Sequence, residues 1–205
     1  LPIPEPFCWQ RSEKVFTDGL FKKKLSDEIQ YSWFDGNGYT RLGAASTNPV
    51  PLALPKIFTA GPDASVHIRY ACNLGDHHQQ IFLNDSLFAE DAFYDFKIID
   101  RKFPVGASFL AAPATATATL KLLSPLADRN GIALASIRYP RLFDFENAIN
   151  AAFELEASTT EQYLEIQSFD LSNGNAVLWD LTNKTRLVTE GQAGLVKAKI
   201  PANGA

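Results

Sequence analysis

The sequence predicts an all-β protein: an antiparallel, jelly-roll-like β-sandwich followed by a smaller β module, with little helix. The first observation behind this prediction is that apolar and polar residues alternate with a period of two in many short segments, as in half-buried strands. The second is that Gly, Pro, Asn and Asp separate these segments at intervals of about 8–15 residues. The third is that no helical pattern persists over the roughly ten residues that a stable helix needs.

The clearest strand is predicted at 66–72, where the apolar side chains at alternate positions from Val66 to Cys72 share one face. A turn is predicted at Asn84-Asp85-Ser86, because short Asn and Asp side chains hydrogen-bond to the neighbouring backbone. The same reasoning predicts further strands at 80–83, 94–99, 114–123, 132–139, 152–156, 162–169, 176–181 and 195–200.

Helix-forming residues occur only in short segments, chiefly 26–31 and 144–152. A boundary is predicted near 143, where Pro140 ends one group of strands and a charged segment begins at Asp144. The chain is therefore predicted to divide into an extended N-terminal arm (1–30), the sandwich (31–142) and a second, smaller β module (143–205).

The composition argues against several classes of partner. The 19 Lys and Arg residues against 23 Asp and Glu residues give a net charge of −4, so the basic footprint of a nucleic-acid-binding protein is missing. No segment approaches the roughly 18 consecutive apolar residues of a membrane-spanning helix. The chain has no methionine and begins at Leu1, which predicts that it was processed or belongs to a longer polypeptide.

Asp76-His77-His78 is the one cluster of residue types that suit a metal or a general base. It is expected in a hairpin loop before the strand at 80–83. Adjacent side chains on an extended chain point in opposite directions, so a shared metal would need a bent backbone and a distant third ligand. A solvated turn is the favoured interpretation, the same holds for His67 on the outer face of its strand, and neither a metal nor another cofactor is predicted.

The sequence also predicts no catalytic residue. Cys8 and Cys72 either form one disulfide in an exported protein or are buried thiols, and the strand pattern places Cys72 on the core side. Glu90 and Asp91 are adjacent and are expected in a loop, where sequence does not show the spatial separation that acid–base chemistry requires.

Aromatic residues surround the predicted turn at 36–38, and they are Trp33, Phe34 and Tyr39. Exposed aromatic rings bind sugars and peptides, so these residues form a candidate binding loop. The alternative is that the rings cap one end of the sandwich core.

A more specific pattern lies in the order of two short motifs. One predicted strand ends in Tyr139-Pro140-Arg141, and a later one contains Trp179-Asp180. In the order and spacing of these motifs, residues 31–188 resemble the N-terminal, non-catalytic region of bacterial gingipain-like cysteine peptidases. The resemblance is greatest to the PorU-type sortases of the type IX secretion system in Bacteroidetes. The upstream part of the pattern comprises Trp33, Phe34 and the segment 52–55.

The resemblance implies that this chain is an accessory or scaffold region and is not itself an enzyme, whereas the parent protein is a cysteine peptidase. In that family a caspase-like domain follows, with a Gly-His-Gly histidine and a nucleophilic cysteine that this sequence lacks. PorU-type sortases remove the C-terminal sorting signal of exported cargo and join the cargo to a surface polysaccharide. The implied partners are the following catalytic domain and secretion-apparatus or cargo proteins. The implied location is the bacterial outer-membrane surface or the extracellular space.

Under this resemblance the motif residues are structural. Tyr139 is expected to complete the core face, Pro140 to end strand pairing, and Arg138 and Arg141 to pair with acids. The later motif is expected to supply a buried anchor and a turn residue, Trp179 and Asp180.

The second hypothesis comes from a different class and is a carbohydrate-binding jelly-roll module. Its binding residues are predicted to be Trp33, Phe34, Tyr39, His77 and His78. A third reading, an independent metal hydrolase, is disfavoured because the ligand spacing is missing.

Overall fold

The structure is a computed structural model. It describes residues 2–16, 22–24, 31–33, 47–72, 75–94, 97–110, 117–123, 130–172 and 174–202. Within these residues the chain forms sixteen strands and one short helix, α1 (Ala107–Leu110), so the predicted all-β class with little helix is confirmed. No helix in this described part is long and apolar enough to cross a membrane.

The strands are numbered in chain order. They are β1 (Cys8–Val15), β2 (Lys22–Lys24), β3 (Tyr31–Trp33), β4 (Thr47–Ala53), β5 (Ala64–Cys72), β6 (Asp76–Leu83), β7 (Ser86–Tyr94), β8 (Ile98–Val105), β9 (Thr117–Leu123), β10 (Asn130–Arg141), β11 (Asp144–Ala148), β12 (Gln162–Phe169), β13 (Leu178–Asp180), β14 (Thr185–Leu187), β15 (Thr189–Gln192) and β16 (Leu195–Ile200).

The chain divides into two compact units. The sandwich unit comprises Arg11–Pro55 and Pro62–Tyr139. The C-terminal unit comprises Leu1–Gln10, Lys56–Gly61 and Pro140–Ala205. The predicted division into an arm (1–30), a sandwich (31–142) and a second module (143–205) stays a prediction.

The sandwich unit contains two four-stranded sheets, with strand orders β1-β10-β5-β8 and β4-β9-β6-β7, and the short two-stranded sheet β2-β3. In the first sheet, Ile68 of β5 lies across from Ala135 of β10 and Arg101 of β8, and both pairings are antiparallel. The predicted alternation in β5 is confirmed, because Val66, Ile68 and Tyr70 are fully buried. Further buried core residues come from both sheets, namely Val50, Leu52, Ile81, Leu83, Val105, Ile132, Ile137 and Tyr139.

The segment expected to be a hairpin loop at Asp76-His77-His78 is instead the start of strand β6. The error has a physical cause. The inward positions of this strand are His77 and Gln79, which are polar and nevertheless buried, so the apolar alternation that marks a strand is missing there. For the same reason, Glu90-Asp91 lies within strand β7 rather than in a loop, with Asp91 buried.

The hairpin turn between β6 and β7 lies at Asn84-Asp85, within the predicted turn, whose third residue, Ser86, already begins β7. Both residues have left-handed backbone angles, with φ of 47° and 66°, which Asn and Asp tolerate better than most residues. The single strand predicted at 94–99 is wrong, since β7 ends at Tyr94 and β8 begins at Ile98.

The C-terminal unit contains a sheet with strand order β11-β12-β16-β15 and the separate hairpin β13-β14. The strands predicted at 162–169 and 195–200 are confirmed as β12 and β16, and that at 176–181 is confirmed only for the three residues of β13. The segment 152–156 forms one isolated bridge, between Glu154 and Trp9. The core of this unit consists of Cys8, Phe143, Phe145, Leu164, Ile166, Val196 and Ile200.

The helix-forming residues at 144–152 do not form a helix, because β11 occupies Asp144–Ala148. Glu146 and Asn147 have φ of 54° and 62°, which breaks a right-handed helix. The other segment with helix-forming residues, 26–31, lies outside the described residues except for its last residue, which begins β3.

Pro140 was expected to end strand pairing, but β10 continues through it to Arg141. Proline lacks an N–H but keeps its carbonyl oxygen, which accepts a 2.9 Å hydrogen bond from Phe58 N–H. Arg141 then forms a bridge with Ile57. Gly61 packs closely here, since a Cβ at this position would lie 2.8 Å from the Pro140 ring atoms Cβ and Cγ.

Candidate functional site

The two adjacent histidines of β6 point to opposite faces of their sheet. His77 is buried, and its ring lies 4.9 Å from the ring of Phe93 on β7. His78 is exposed and contacts the Glu90 carboxylate through Nε2. Because neighbouring side chains on a strand alternate, the pair does not converge on one point, and the described residues contain no group of three potential metal ligands.

The exposed face of the β6-β7 pair carries a small polar and aromatic surface. We call His78, Glu90 and Tyr94 the histidine face. The hydrogen bond from His78, together with one from Gln80, holds the pKa of Glu90 below its ordinary value. Tyr94 is 63% exposed and lies across from Asp76. This surface can offer an aromatic ring and charged hydrogen-bonding groups to a polar ligand.

His67 also behaves as the sequence suggested, on the outer side of β5. Its Nε2 lies 2.6 Å from Asp100 Oδ1 on β8. An imidazole paired with an exposed carboxylate is a surface contact that joins neighbouring strands.

A polar cluster of Tyr70, Asp91 and Arg101 joins the two sheets of the sandwich unit, with Tyr70 and Asp91 buried and the Arg101 side chain half-exposed. The Tyr70 hydroxyl donates a 2.8 Å hydrogen bond to Asp91 Oδ2. Arg101 donates from Nε to the same oxygen at 3.1 Å and from Nη2 to Oδ1. Since a buried carboxylate is stable only when it is paired and hydrogen-bonded, this cluster fixes the two sheets to each other.

A second buried polar pair lies beside this cluster. Gln79 is directly opposite Asp91 in the β6-β7 register, and its Oε1 accepts a 3.0 Å hydrogen bond from Asn130 Nδ2 on β10. Sequence reasoning missed both groups, because it placed Asp91 in a loop. A signal was nevertheless present in the sequence. If the alternation of the predicted strand at 80–83 is continued toward its N-terminus, Gln79 falls on the same face as Ile81 and Leu83.

The Tyr139-Pro140-Arg141 motif is built into the fold. Tyr139 is fully buried, as expected, and its hydroxyl donates to the Pro55 carbonyl at 3.3 Å within the sandwich unit. Arg138 is half-buried on β10 across from Ser65.

Arg141 belongs to the C-terminal unit and is 8% exposed. Its Nη2 donates to the Asp144 carbonyl at 2.8 Å and lies 4.0 Å from Glu146 Oε2. The guanidinium carbon stands 4.6 Å from the centre of the Phe145 ring. The expectation that Arg141 pairs with an acid therefore holds only loosely, because its hydrogen bond goes to a backbone carbonyl and the Glu146 carboxylate lies at the 4.0 Å limit of an ion pair.

Both cysteines are buried thiols. Cys8 Sγ donates to the Arg141 carbonyl at 3.6 Å, and burial raises the pKa of Cys8 to about 12. A thiol with so high a pKa is almost wholly protonated near neutral pH, so Cys8 is a core residue and not a nucleophile.

Trp179 was expected to be a buried anchor and is instead 58% exposed on β13. The neighbouring Leu178 and Leu187 take the inward positions of the hairpin and pack on the core of the C-terminal unit. The expected turn role of Asp180 is confirmed, since its Oδ1 accepts 3.0 Å hydrogen bonds from the N–H groups of Thr182 and Asn183.

Most of the predicted aromatic binding loop lies outside the residues that the structure describes. Trp33 is the last residue of β3, while Phe34 and Tyr39 lie outside the described residues. The binding role of these three residues, like that of His77 and His78, stays a prediction.

No protein-family model matches the sequence, and no curated protein matches it. Among solved structures, the chain is similar to dimeric latent PorU from Porphyromonas gingivalis, with a TM-score of 0.60 and 10% identity. The alignment covers 97% of this chain and 19% of the PorU chain, so this chain spans about a fifth of that protein. At such low identity the likeness concerns the fold alone.

Two family 35 carbohydrate-binding modules are also similar, each with a TM-score of 0.35. One is from an environmental isolate, with 16% identity over 65% of this chain and 85% of that chain. The other is from Paenibacillus barcinonensis, with 14% identity over 61% of this chain and 96% of that chain.

Proposed function

We propose that this chain is a non-catalytic accessory or scaffold region of an exported, gingipain-like cysteine peptidase of the PorU type. The observation that supports this proposal most directly is the fold similarity to PorU over 97% of the chain. The order of the Tyr139-Pro140-Arg141 and Trp179-Asp180 motifs supports it independently. In this role the chain supplies rigid surfaces to a following catalytic domain, to cargo or to secretion-apparatus proteins.

The buried groups of the described residues suit a scaffold. The Asp91 carboxylate is held by Tyr70 and Arg101 inside the sandwich unit. In the C-terminal unit, burial keeps the Cys8 thiol protonated, and Arg141 is held by the Asp144 carbonyl. Each of these polar groups is used for packing, which is what a module that positions its neighbours requires.

The proposal is tested in the bacterium from which the gene comes. We expect one reading frame to encode this region followed by a domain with a Gly-His-Gly histidine and a later cysteine. In-frame deletion of the region should block release of sorting signals from exported cargo, while the isolated catalytic domain still cleaves a short peptide. A stop codon directly after Ala205, or normal cargo processing after the deletion, would contradict the proposal.

A second candidate function is that of a carbohydrate-binding module, and the histidine face favours it. An exposed aromatic ring at Tyr94 beside the His78–Glu90 pair provides a stacking surface next to hydrogen-bonding groups. A glycan array probed with the wild-type chain tests this function. Binding should be weakened by Tyr94→Ala, or by Trp33→Ala or Tyr39→Ala if the predicted loop binds, and unchanged by Leu87→Ala on the same strand β7.

A further inference from the structure

The β13-β14 hairpin carries apolar side chains on both of its faces. Leu178 and Leu187 are paired across the hairpin and face the core of the C-terminal unit. Trp179 and Arg186 are the next pair and therefore face the opposite way. A hairpin that covers a core normally turns polar residues outward, so the outward Trp179 requires a separate explanation.

Further exposed apolar residues flank the two strands: Val177 precedes β13, Leu181 lies in the turn and Val188 follows β14. We call Val177, Trp179, Leu181 and Val188, together with the cross-strand Arg186, the hairpin face. Val177 is 49% exposed, Trp179 58%, Leu181 82% and Val188 87%. Clustered exposed apolar residues of this size mark interaction sites, and Trp and Arg are the residue types most enriched at the energetic centres of interfaces.

The turn that joins the two strands is rigidly held. Asp180 accepts backbone hydrogen bonds from Thr182 and Asn183, and the Asn183 side-chain amide donates to its second oxygen at 2.7 Å. These bonds hold the pKa of Asp180 below its ordinary value, with the Asn183 backbone bond the largest cause. The hairpin face is therefore preorganised, which lowers the conformational entropy lost on binding.

An apolar pocket opens at the base of the hairpin. The side chains of Phe145, Phe153 and Phe169 line it, together with Ala176, Val177 and Leu178 at the start of β13. Val177 belongs both to the pocket and to the hairpin face. A peptide with an apolar side chain in the pocket would therefore have its neighbouring residues close to Trp179.

The charge of the hairpin indicates the kind of partner. Lys184 and Arg186 are its two cations, and neither makes an ion pair within the described part of the chain. The single carboxylate, Asp180, is already engaged by the turn. The hairpin therefore carries net positive charge in a chain whose overall net charge is −4. A partner with a carboxylate is favoured over a basic one.

We propose that the hairpin face and its pocket bind an extended segment of a partner polypeptide. The segment would place one aliphatic or aromatic side chain in the pocket and a neighbouring carboxylate beside Lys184 and Arg186. β13 and β14 form a sheet of only two strands within the described residues, so a strand edge is available for an extended peptide. This inference goes beyond the accessory role proposed above, and it stands whether or not the chain belongs to a peptidase.

The test uses the whole chain and a phage-displayed library of random linear heptapeptides. We expect selection of peptides with one large apolar residue within two positions of Asp or Glu. A selected peptide, made synthetically, should bind at least tenfold more weakly to Trp179→Ala and to Arg186→Glu. Replacing its acidic residue with Lys should restore binding to Arg186→Glu.

Leu87→Ala is the matched control, because Leu87 is also a half-exposed apolar strand residue but lies on β7 in the sandwich unit. Its peptide affinity should equal that of the wild type. Circular dichroism and thermal melting of every variant separate loss of binding from loss of folding, which exposed substitutions should leave intact.

Three outcomes overturn the inference. One is that no peptide is enriched, and another is that Trp179→Ala leaves the affinity unchanged. The third is a different occupant: a wild-type chain that sediments as a dimer and a Trp179→Ala variant that sediments as a monomer, or a glycan whose binding requires Trp179. None of these outcomes bears on the reading frame or on cargo processing, which test the proposed accessory role.

Discussion

The Tyr70 hydroxyl and the Asp91 carboxylate are joined by a 2.8 Å hydrogen bond that connects β5 of one sheet with β7 of the other. Both side chains are buried, and Arg101 on β8 provides the countercharge. The bond lies inside the sandwich unit, where water does not compensate for a lost partner. Its removal should therefore be felt in stability.

We expect Asp91→Ala to lower the free energy of unfolding by about 2–3 kcal/mol, because it leaves the buried Tyr70 hydroxyl without this acceptor and removes the partner of Arg101. The estimate is kept below that of a fully buried pair because the Arg101 side chain is 49% exposed. Urea denaturation measures the change. Asp100→Ala is the control, since Asp100 is an exposed strand residue that pairs with His67 at the surface, and its loss should cost less than about 0.5 kcal/mol. Equal losses for the two variants would argue against the buried cluster.

The Cys8 thiol should resist alkylation in the folded chain at pH 7.5. Burial raises its pKa to about 12, so almost no thiolate is present, and the side chain lies in the core of the C-terminal unit. Mass spectrometry after iodoacetamide treatment should find Cys8 unmodified without denaturant and fully modified in 6 M urea, a concentration of about the size that unfolds small domains. Rapid modification of the folded chain would place Cys8 outside the core.

Acid should weaken the C-terminal unit partly through Asp144. The hydrogen bond from Lys56, at 2.7 Å, holds the pKa of Asp144 below its ordinary value. A carboxyl whose pKa is lowered on folding stabilises the folded state above its unfolded pKa, and this contribution is lost as the pH falls through the folded pKa. The urea midpoint of the wild type should therefore fall more between pH 6 and pH 3 than that of Asp144→Asn. Parallel curves for the two proteins would contradict the coupling.

Gly61→Ala should destabilise the chain by about 1–3 kcal/mol, because the added Cβ would overlap a rigid ring. That Cβ would lie 2.8 Å from two ring atoms of Pro140, a distance that side-chain rotation cannot relieve. Thermal unfolding detects the change. Gly174→Ala separates this effect from backbone strain, since Gly174 has a φ of 115° but no atom within 4 Å of an added Cβ. Pairing Gly61→Ala with Pro140→Ala should recover part of the loss.

The sequence predicted strands well where each strand has one apolar and one polar face. In β5, β12 and β16 the alternation of residue types is the alternation of burial, so the period of two was enough. It failed at β6 and β7, where His77, Gln79 and Asp91 face inward. These residues are compatible with burial only because groups from other strands pair with them, and local sequence contains no record of those partners.

The candidate sites show the same division more sharply. Local chemistry was sufficient for Asp180, whose turn role depends on the residues that follow it. It was insufficient for Trp179, which was expected in the core and lies at the surface. The parity of a three-residue strand cannot be read from its composition, because Leu178 and Trp179 are both apolar and only one of them can face inward.

The sequence by itself therefore determined the all-β class, strands with clear alternation such as β5, β12 and β16, and the turn that contains Asn84 and Asp85, because these depend on the period of the chain and on the conformations of Asn and Asp. It also supplied the resemblance that agrees with the fold of PorU. Only the tertiary structure decided which polar residues are buried and which apolar residues are exposed. Burial depends on partners that are distant in sequence, as Tyr70 and Arg101 are for Asp91. The hairpin face owes its exposure to the same cause, since the core of the C-terminal unit receives Leu178 and Leu187 and leaves Trp179 outside.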